Sequence, residues 1–249
     1  MNLRPTRLAL LNALFWAAGL SVVGCGHIPG RPGPGPEVAR PEEVVDFSVL
    51  YKANCSACHG ENGADGAAIA LANPVYLAVI GEDNLREITS KGVGGKLMPA
   101  FARSSGGTLT DQQIVILAHG MMQQWNKPAF LTTPGTPAYR ASQPGDPARG
   151  EQAFGVFCAS CHGAHGEGMT ATISGKRTKV GSIVDESYLA LVSDQALRSF
   201  TIAGVPGGAM PDWRADAAVP MTDRQITDVV AWLATKRITD PGQPYAANP

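Results

Sequence analysis

The stretches Cys55-Ser56-Ala57-Cys58-His59 and Cys158-Ala159-Ser160-Cys161-His162 repeat one pattern, Cys-x-x-Cys-His, 103 residues apart. Together they contain four of the five cysteines in this chain of 249 residues, and only Cys25 lies outside them. A five-residue pattern can arise once by chance, but a second copy indicates that the pattern has a chemical function.

Three kinds of site use closely spaced cysteines. A thiol redox site of the thioredoxin kind lies beside a βαβ pattern, which neither copy has, and a zinc ribbon pairs two Cys-x-x-Cys units about 15–20 residues apart. The third kind is the covalent attachment site of a c-type haem, in which both cysteines form thioethers and the histidine is the proximal iron ligand. The sequence therefore predicts two covalently attached haem c groups, held by Cys55, Cys58 and His59 and by Cys158, Cys161 and His162.

The overall composition is that of an ordinary globular protein. The net charge is −1, and 44% of the residues are hydrophobic. Because nucleic-acid binding requires a basic surface, no nucleic-acid partner is expected.

The N-terminus has the features of an export signal. Arg4 and Arg7 precede a mostly apolar run, residues 8–23, which is shorter than the roughly 20 residues that span a bilayer. The run ends at Val22-Val23-Gly24-Cys25, which resembles the lipobox of bacterial lipoproteins. That resemblance implies removal of residues 1–24 and lipidation of Cys25, on the periplasmic side of an inner or outer membrane. An uncleaved anchor helix, with Cys25 as a passive residue, is the alternative.

Proline-rich segments divide the rest of the chain. Residues 25–42 are predicted to be an extended tether from the membrane. Residues 128–145 are predicted to link a domain at 43–127 to a second domain at 146–239. Residues 240–249 are expected to be a loosely ordered tail.

The two predicted domains form an internal repeat. Tyr76-Leu77-Ala78 recurs as Tyr188-Leu189-Ala190, and Met98-Pro99 recurs as Met210-Pro211, both 112 residues later. Because the cysteine motifs are only 103 residues apart, the second half must contain about nine extra residues after His162. We expect these residues in the polar stretch 170–181, as a surface loop.

Helical patterns dominate both halves, and no convincing alternating strand pattern is present. Capping boxes at Thr110-x-x-Gln113 and Thr222-x-x-Gln225 mark the last helix of each half. The other helices are predicted at 43–54, 83–90, 146–157 and 194–202. The predicted fold is therefore all-α, with two tandem domains of a few helices each around a covalent haem. Tyr51, Phe154 and Trp232 are expected to pack first helices against last helices.

The repeat also indicates a second iron ligand in each half. Met98 and Met210 follow the proximal histidines by 39 and 48 residues, each in a glycine-rich segment before the last helix. A thioether sulfur is a soft, neutral ligand, and His/Met ligation raises the haem potential. Two methionines in register favour ligation over simple gap filling in a core. We do not expect the iron to be ligated by His27, His119 or His165.

Two further repeated pairs leave alternatives open. Tyr76 with Tyr188 and Arg86 with Arg198 recur at the same offset of 112 residues. They either contact the haem propionates or serve as a helix-packing tyrosine and a solvated arginine.

With these motifs, each half resembles a class I cytochrome c domain. The resemblance covers residues 43–126 and 146–238, and the whole chain resembles bacterial di-haem cytochromes c. It implies one-electron transfer in a respiratory chain, between a quinol-oxidising complex such as quinol–cytochrome c reductase, or a dehydrogenase, and a terminal oxidase or soluble carrier. No catalytic residue is assigned, and no turnover by the chain alone is expected. Gly120 departs from the family pattern, since an aromatic residue is common there.

One alternative is an enzyme, such as a di-haem peroxidase or a sulfur-compound dehydrogenase. Such an enzyme needs one haem open to substrate, whereas a candidate methionine is present in both halves. A gas sensor or structural subunit ranks last, because no signalling domain accompanies the motifs.

Overall fold

The computed structural model describes residues 38–127, 135–173, 175–214 and 219–238. The predicted export signal, Cys25, most of the predicted tether and the predicted tail lie outside these ranges. Among the described residues, no helix has both the length and the apolar character needed to cross a membrane.

The first half contains four α-helices: α1 (Phe47–Asn54), α2 (Ser56–His59), α3 (Pro74–Lys91) and α4 (Asp111–Trp125). Helix α1 begins after Asp46, whose carboxylate accepts a hydrogen bond from the Val49 amide, so it starts later than the predicted residue 43. Helix α3 is kinked at Gly81, where the backbone is not helical. Its first part, before the kink, was missed by the sequence prediction.

The second half repeats this order with one insertion. Its helices are α5 (Pro147–Phe157), α6 (Ala159–His162), α7 (Glu186–Leu191), α8 (Asp194–Ala203) and α9 (Asp223–Ala234). The capping boxes predicted at Thr110 and Thr222 are both formed, and they start α4 and α9. The mostly helical architecture with two tandem domains confirms the predicted fold class.

The extra residues of the second half form a β-hairpin, so the prediction of a loop without strands was wrong. Strand β1 (Met169–Ile173) pairs antiparallel with β2 (Lys176–Val180), with Met169 opposite Val180 and Ile173 opposite Lys176. Both strands contain β-branched residues, Thr170, Thr172 and Ile173 in β1 and Thr178 and Val180 in β2, and such residues favour strands. The stretch is so short and polar that its alternation was not recognised.

First and last helices cross in both halves, as predicted. In the second half the rings of Phe154 and Trp232 stack 4.5 Å apart between α5 and α9. In the first half Tyr51 of α1 contacts Trp125 of α4, with ring centroids 5.1 Å apart. Both crossings lie in a continuous hydrophobic core.

The described residues from Pro41 onward form one compact unit, in which hydrogen bonds join the two halves and the linker residues 136–144. Arg198 of α8 is buried and donates to the carbonyls of Ala138 and Tyr139. Arg140 pairs with Glu87 of α3 at 2.8 Å and donates to the side chain of Asn84 on the same helix. This part of the linker is therefore held by both halves.

Candidate haem-binding sites

Each Cys-x-x-Cys-His motif forms one short helical turn that follows directly on the first helix of its half. In α2 the His59 amide donates to the Cys55 carbonyl at 3.0 Å, and in α6 the His162 amide donates to the Cys158 carbonyl at 3.0 Å. One turn of helix brings residues four positions apart to the same face. Each histidine therefore lies on the same helical face as the first cysteine of its motif.

The histidine of the first motif is oriented by the backbone. His59 is buried, and its Nδ1 lies 2.7 Å from the carbonyl oxygen of Ile69. A carbonyl can only accept, so Nδ1 donates and Nε2 keeps its lone pair for a metal. Burial also lowers the pKa of His59, an effect partly offset by this hydrogen bond. The neutral imidazole that an iron ligand requires is thus favoured.

The second motif has the same backbone conformation, but its histidine lacks the hydrogen bond that orients His59. Nδ1 of His162 is buried and lacks a hydrogen-bond partner among the described residues. Burial lowers the pKa of His162 as well, so its imidazole is also kept neutral. Among the described residues, none holds the His162 imidazole as the Ile69 carbonyl holds that of His59.

The cysteine thiols do not have the character of a redox Cys-x-x-Cys. Burial, together with the neighbouring cysteine, raises the pKa of Cys55 to about 12 and that of Cys158 to about 11. Reactive cysteines of disulfide oxidoreductases have lowered pKa values instead. All four motif cysteines are free of disulfide bonds. Within the described ranges no group of three His, Cys, Asp or Glu side chains is arranged to hold a metal ion, so a zinc ribbon is not supported either.

The two predicted methionine ligands occupy loops of the same conformation. The amide of Val93 donates to the Met98 carbonyl at 3.0 Å, and that of Val205 donates to the Met210 carbonyl at 2.9 Å. Both loops begin at a glycine with positive φ, 66° at Gly92 and 65° at Gly204, a conformation that favours glycine. Met98 and Met210 are both half-buried. The repeat seen in the sequence is therefore also a repeat of local structure.

Other residues singled out from the sequence have roles outside these sites. His119 is exposed and lies 3.4 Å from Glu82, and His165 is also exposed. Arg86 is half-exposed beside Asp83, while its counterpart Arg198 is buried against the linker. By its placement Arg86 fits the alternative of a solvated arginine, whereas the buried Arg198 does not. His27 lies outside the described residues.

Two features that matter to the sites were not found from the sequence. The acceptor for His59 is a backbone carbonyl, that of Ile69, and no residue type marks such a contact in advance. Asn73 and Lys96 of the first half both contact the second half. The pair Asn73-Pro74 is a typical helix start, which could have identified the cap but not the contact across the halves.

Comparisons with known proteins agree with this geometry. Residues 147–236 match the cytochrome c family, and residues 43–119 match the family described as cytochrome c oxidase, cbb3-type, subunit III. The chain is 26% identical over 193 residues to the cbb3-type cytochrome c oxidase subunit FixP of Sinorhizobium medicae (strain WSM419). That alignment covers 71% of this chain and 58% of the relative, so the chain spans less than two thirds of the relative's length.

A solved structure that resembles the chain is the reducing HAO-like protein complex Kustc0457/Kustc0458 of Kuenenia stuttgartiensis. The TM-score is 0.44 at 17% identity, over 81% of this chain and 100% of that chain, which is too weak to indicate a shared function. The two family matches instead cover both motif-containing halves. Each motif-containing half is therefore a cytochrome c domain, and two such domains in tandem imply two covalently bound c-type haems.

Proposed function

We propose that this cytochrome is a membrane-tethered relay for single electrons on the periplasmic side. In this proposal it receives electrons from a quinol-oxidising complex or a dehydrogenase and passes them to a terminal oxidase or a soluble carrier. A relative named as a subunit of a cbb3-type cytochrome c oxidase supports a place in or beside an oxidase. Lipidation of Cys25 would keep the relay near membrane oxidoreductases and raise its effective concentration there.

The observation that carries the proposal is the matched pair of methionine loops. Both begin at a positive-φ glycine, and both close through a hydrogen bond from a valine amide to the methionine carbonyl. Met98 and Met210 would each supply a second iron ligand, in addition to the proximal histidine of the same half. With both positions filled, neither site is left open for substrate, which favours electron transfer over the peroxidase or dehydrogenase alternative.

The residues of the chain have distinct tasks in this arrangement. The four motif cysteines would hold the two groups in place by thioether bonds. His59 would ligate through Nε2, because the carbonyl of Ile69 holds its Nδ1 proton at 2.7 Å. When bound, the haem would supply a one-electron iron couple, and a soft methionine ligand would raise its potential.

An absorption spectrum of the ferric holoprotein tests the ligand assignment. Methionine sulfur gives a ferric c-type haem a weak long-wavelength band, and Met98→Ala and Met210→Ala should each remove about half of it. Met169→Ala is the matched control, because Met169 is exposed on the hairpin and should leave the band unchanged. A five-coordinate, high-spin haem in the unaltered protein would contradict the proposal and favour the enzyme alternative.

Mass spectrometry of the mature N-terminus tests the tether separately. We expect a chain that begins at Cys25 with a lipid on its sulfur. An unmodified Cys25 preceded by intact residues 1–24 would support an uncleaved anchor instead.

A further inference from the structure

We propose that Asn73, a residue of the first half, is a positioning residue for the methionine loop of the second half. The inference rests on the proposed function, because it takes Met210 as the iron ligand of the second site. In this inference, a contact made by the first half helps to place the iron ligand of the second half.

The side chain of Asn73 is almost fully buried and uses both ends of its amide. Its oxygen accepts from the amides of Val75 at 2.9 Å and Tyr76 at 3.3 Å, which caps the start of α3. Its nitrogen donates to the carbonyls of Ala203 at 2.8 Å and Gly204 at 3.5 Å. Because the oxygen faces donors and the nitrogen faces acceptors, the orientation of the amide is fixed by this network.

The acceptors lie where the second methionine loop starts. Ala203 is the last residue of α8, and Gly204 begins the loop with a φ of 65°. The loop closes six residues later through the bond from the Val205 amide to the Met210 carbonyl, at 2.9 Å. A hold on its first residue therefore limits where Met210 can lie.

The equivalent hold is not available to the first loop. The counterpart of Asn73 in the second half is Asp185, which is exposed and caps α7 by accepting from the Tyr188 amide at 3.0 Å. A carboxylate has no N–H to donate to a carbonyl. The first loop instead reaches across through Lys96, whose Nζ donates to the Ala190 carbonyl of α7 at 2.5 Å. The two loops are thus similar in backbone and different in how the other half supports them.

Two substitutions separate the cap from the hold. Asn73→Ser keeps a good cap for α3 but cannot reach the second loop. Asn73→Asp also keeps the cap and places a carboxylate against the two carbonyl oxygens. If Asn73 serves only as a cap, both variants should resemble the unaltered protein, whereas a positioning role predicts that both weaken the second site.

Combined variants of the ferric holoprotein assign the effect to one haem. In a Met98→Ala background, Asn73→Asp should remove most of the remaining methionine band. In a Met210→Ala background the same change should leave the remaining band intact. Asn84→Asp is the matched control, because Asn84 lies on the same helix and donates to Ile80 within the first half. An unchanged band in the Met98→Ala background would overturn the proposal.

Hydrogen exchange of the Val205 amide provides a readout that does not depend on ligation. Loss of the hold should speed its exchange about tenfold in Asn73→Ser, with the Val93 amide unchanged. If Met210→Ala itself leaves the band intact, the ligand assignment of the proposed function fails, and the exchange rate still decides whether Asn73 holds the loop. Equal exchange rates in the variant and the unaltered protein would overturn the inference.

Discussion

The ring of Phe47 lies directly against Gly120, so that a β-carbon at position 120 would come within 2.2 Å of the ring atom Cδ2. The equivalent residues in the second half are Gly150 and Trp232, so the aromatic residue and the glycine have exchanged helices. At Gly150 a β-carbon would come within 2.0 Å of the Asp228 backbone oxygen. Both halves therefore combine a glycine with an aromatic residue at the crossing of first and last helices. This explains why Gly120 departs from the aromatic family pattern without loss of packing.

Alanine substitutions at three helical glycines should lower the free energy of unfolding by different amounts, in a fixed order. Gly150→Ala should cost about 2–3 kcal/mol of unfolding free energy, because its β-carbon meets backbone that cannot move aside. Gly120→Ala should cost about 1 kcal/mol, since the ring of Phe47 is half-buried and can shift. Gly155→Ala is the control, as open space surrounds that position. Denaturant unfolding of the holoprotein measures the order, and equal effects would contradict these crossings.

The two repeated arginines should respond very differently to the same change. Arg198 donates to Ala138, Tyr139 and Thr227 and pairs with Asp223, a geometry that lysine cannot reproduce. We expect Arg198→Lys to cost about 2–3 kcal/mol and to loosen the linker.

Tryptic cleavage after Arg140 measures this loosening directly. The rate should rise in Arg198→Lys and stay unchanged in the control Arg86→Lys, whose side chain is half-exposed. A linker that is cut equally fast in both variants would show that Arg198 does not hold it.

The stability of the second half should depend on pH through Asp228. Burial alone would raise the pKa of this carboxyl, but hydrogen bonds from Arg149 and the Asp146 amide, with the charges of Arg149 and Arg224, lower it. A lowered folded-state pKa means that the stabilisation is present above the unfolded value of about 3.9 and is lost as the pH falls through the folded value.

Asp228→Asn should therefore cost about 1–2 kcal/mol near neutral pH, with a smaller cost in acid. Unfolding curves at a series of pH values test this, with Asp83→Asn as the control because Asp83 is almost fully exposed. If the difference in unfolding free energy between Asp228→Asn and the unaltered protein stays constant across the acid range, the lowered pKa of Asp228 is contradicted.

Removal of the hairpin should leave the second domain folded. At its neck, a β-carbon on Gly168 would lie 2.7 Å from the Gly181 carbonyl carbon, so the two ends are nearly in contact. In the intact protein the Gly168 amide donates to the His162 carbonyl at 2.7 Å. We expect a chain that lacks residues 169–180 to keep this hydrogen bond and to bind two haems. Haem content and far-UV circular dichroism measure the outcome. A protein with a single haem would mean that the hairpin is part of the second site.

Sequence alone identified the two Cys-x-x-Cys-His motifs, the tandem repeat and most of the helices. The cysteines and histidines of the motifs are close along the chain, and capping boxes such as Thr110 with Gln113 act within one turn. The extra residues of the second half were placed correctly by register, because the two offsets differ. Their hairpin was not recognised, since a strand of five residues has too few alternations to stand out.

Only the tertiary structure decided how the halves are joined. Arg86 and Arg198 are equivalent by register, yet one is half-exposed and the other is buried against the linker. Asn73 and Asp185 are equivalent caps, but only the asparagine can donate a hydrogen bond across the halves. Local patterns determine what each repeat forms by itself, because they depend on neighbours a few positions apart. Contacts between distant parts of the chain depend on how the backbone returns on itself, which no local pattern records.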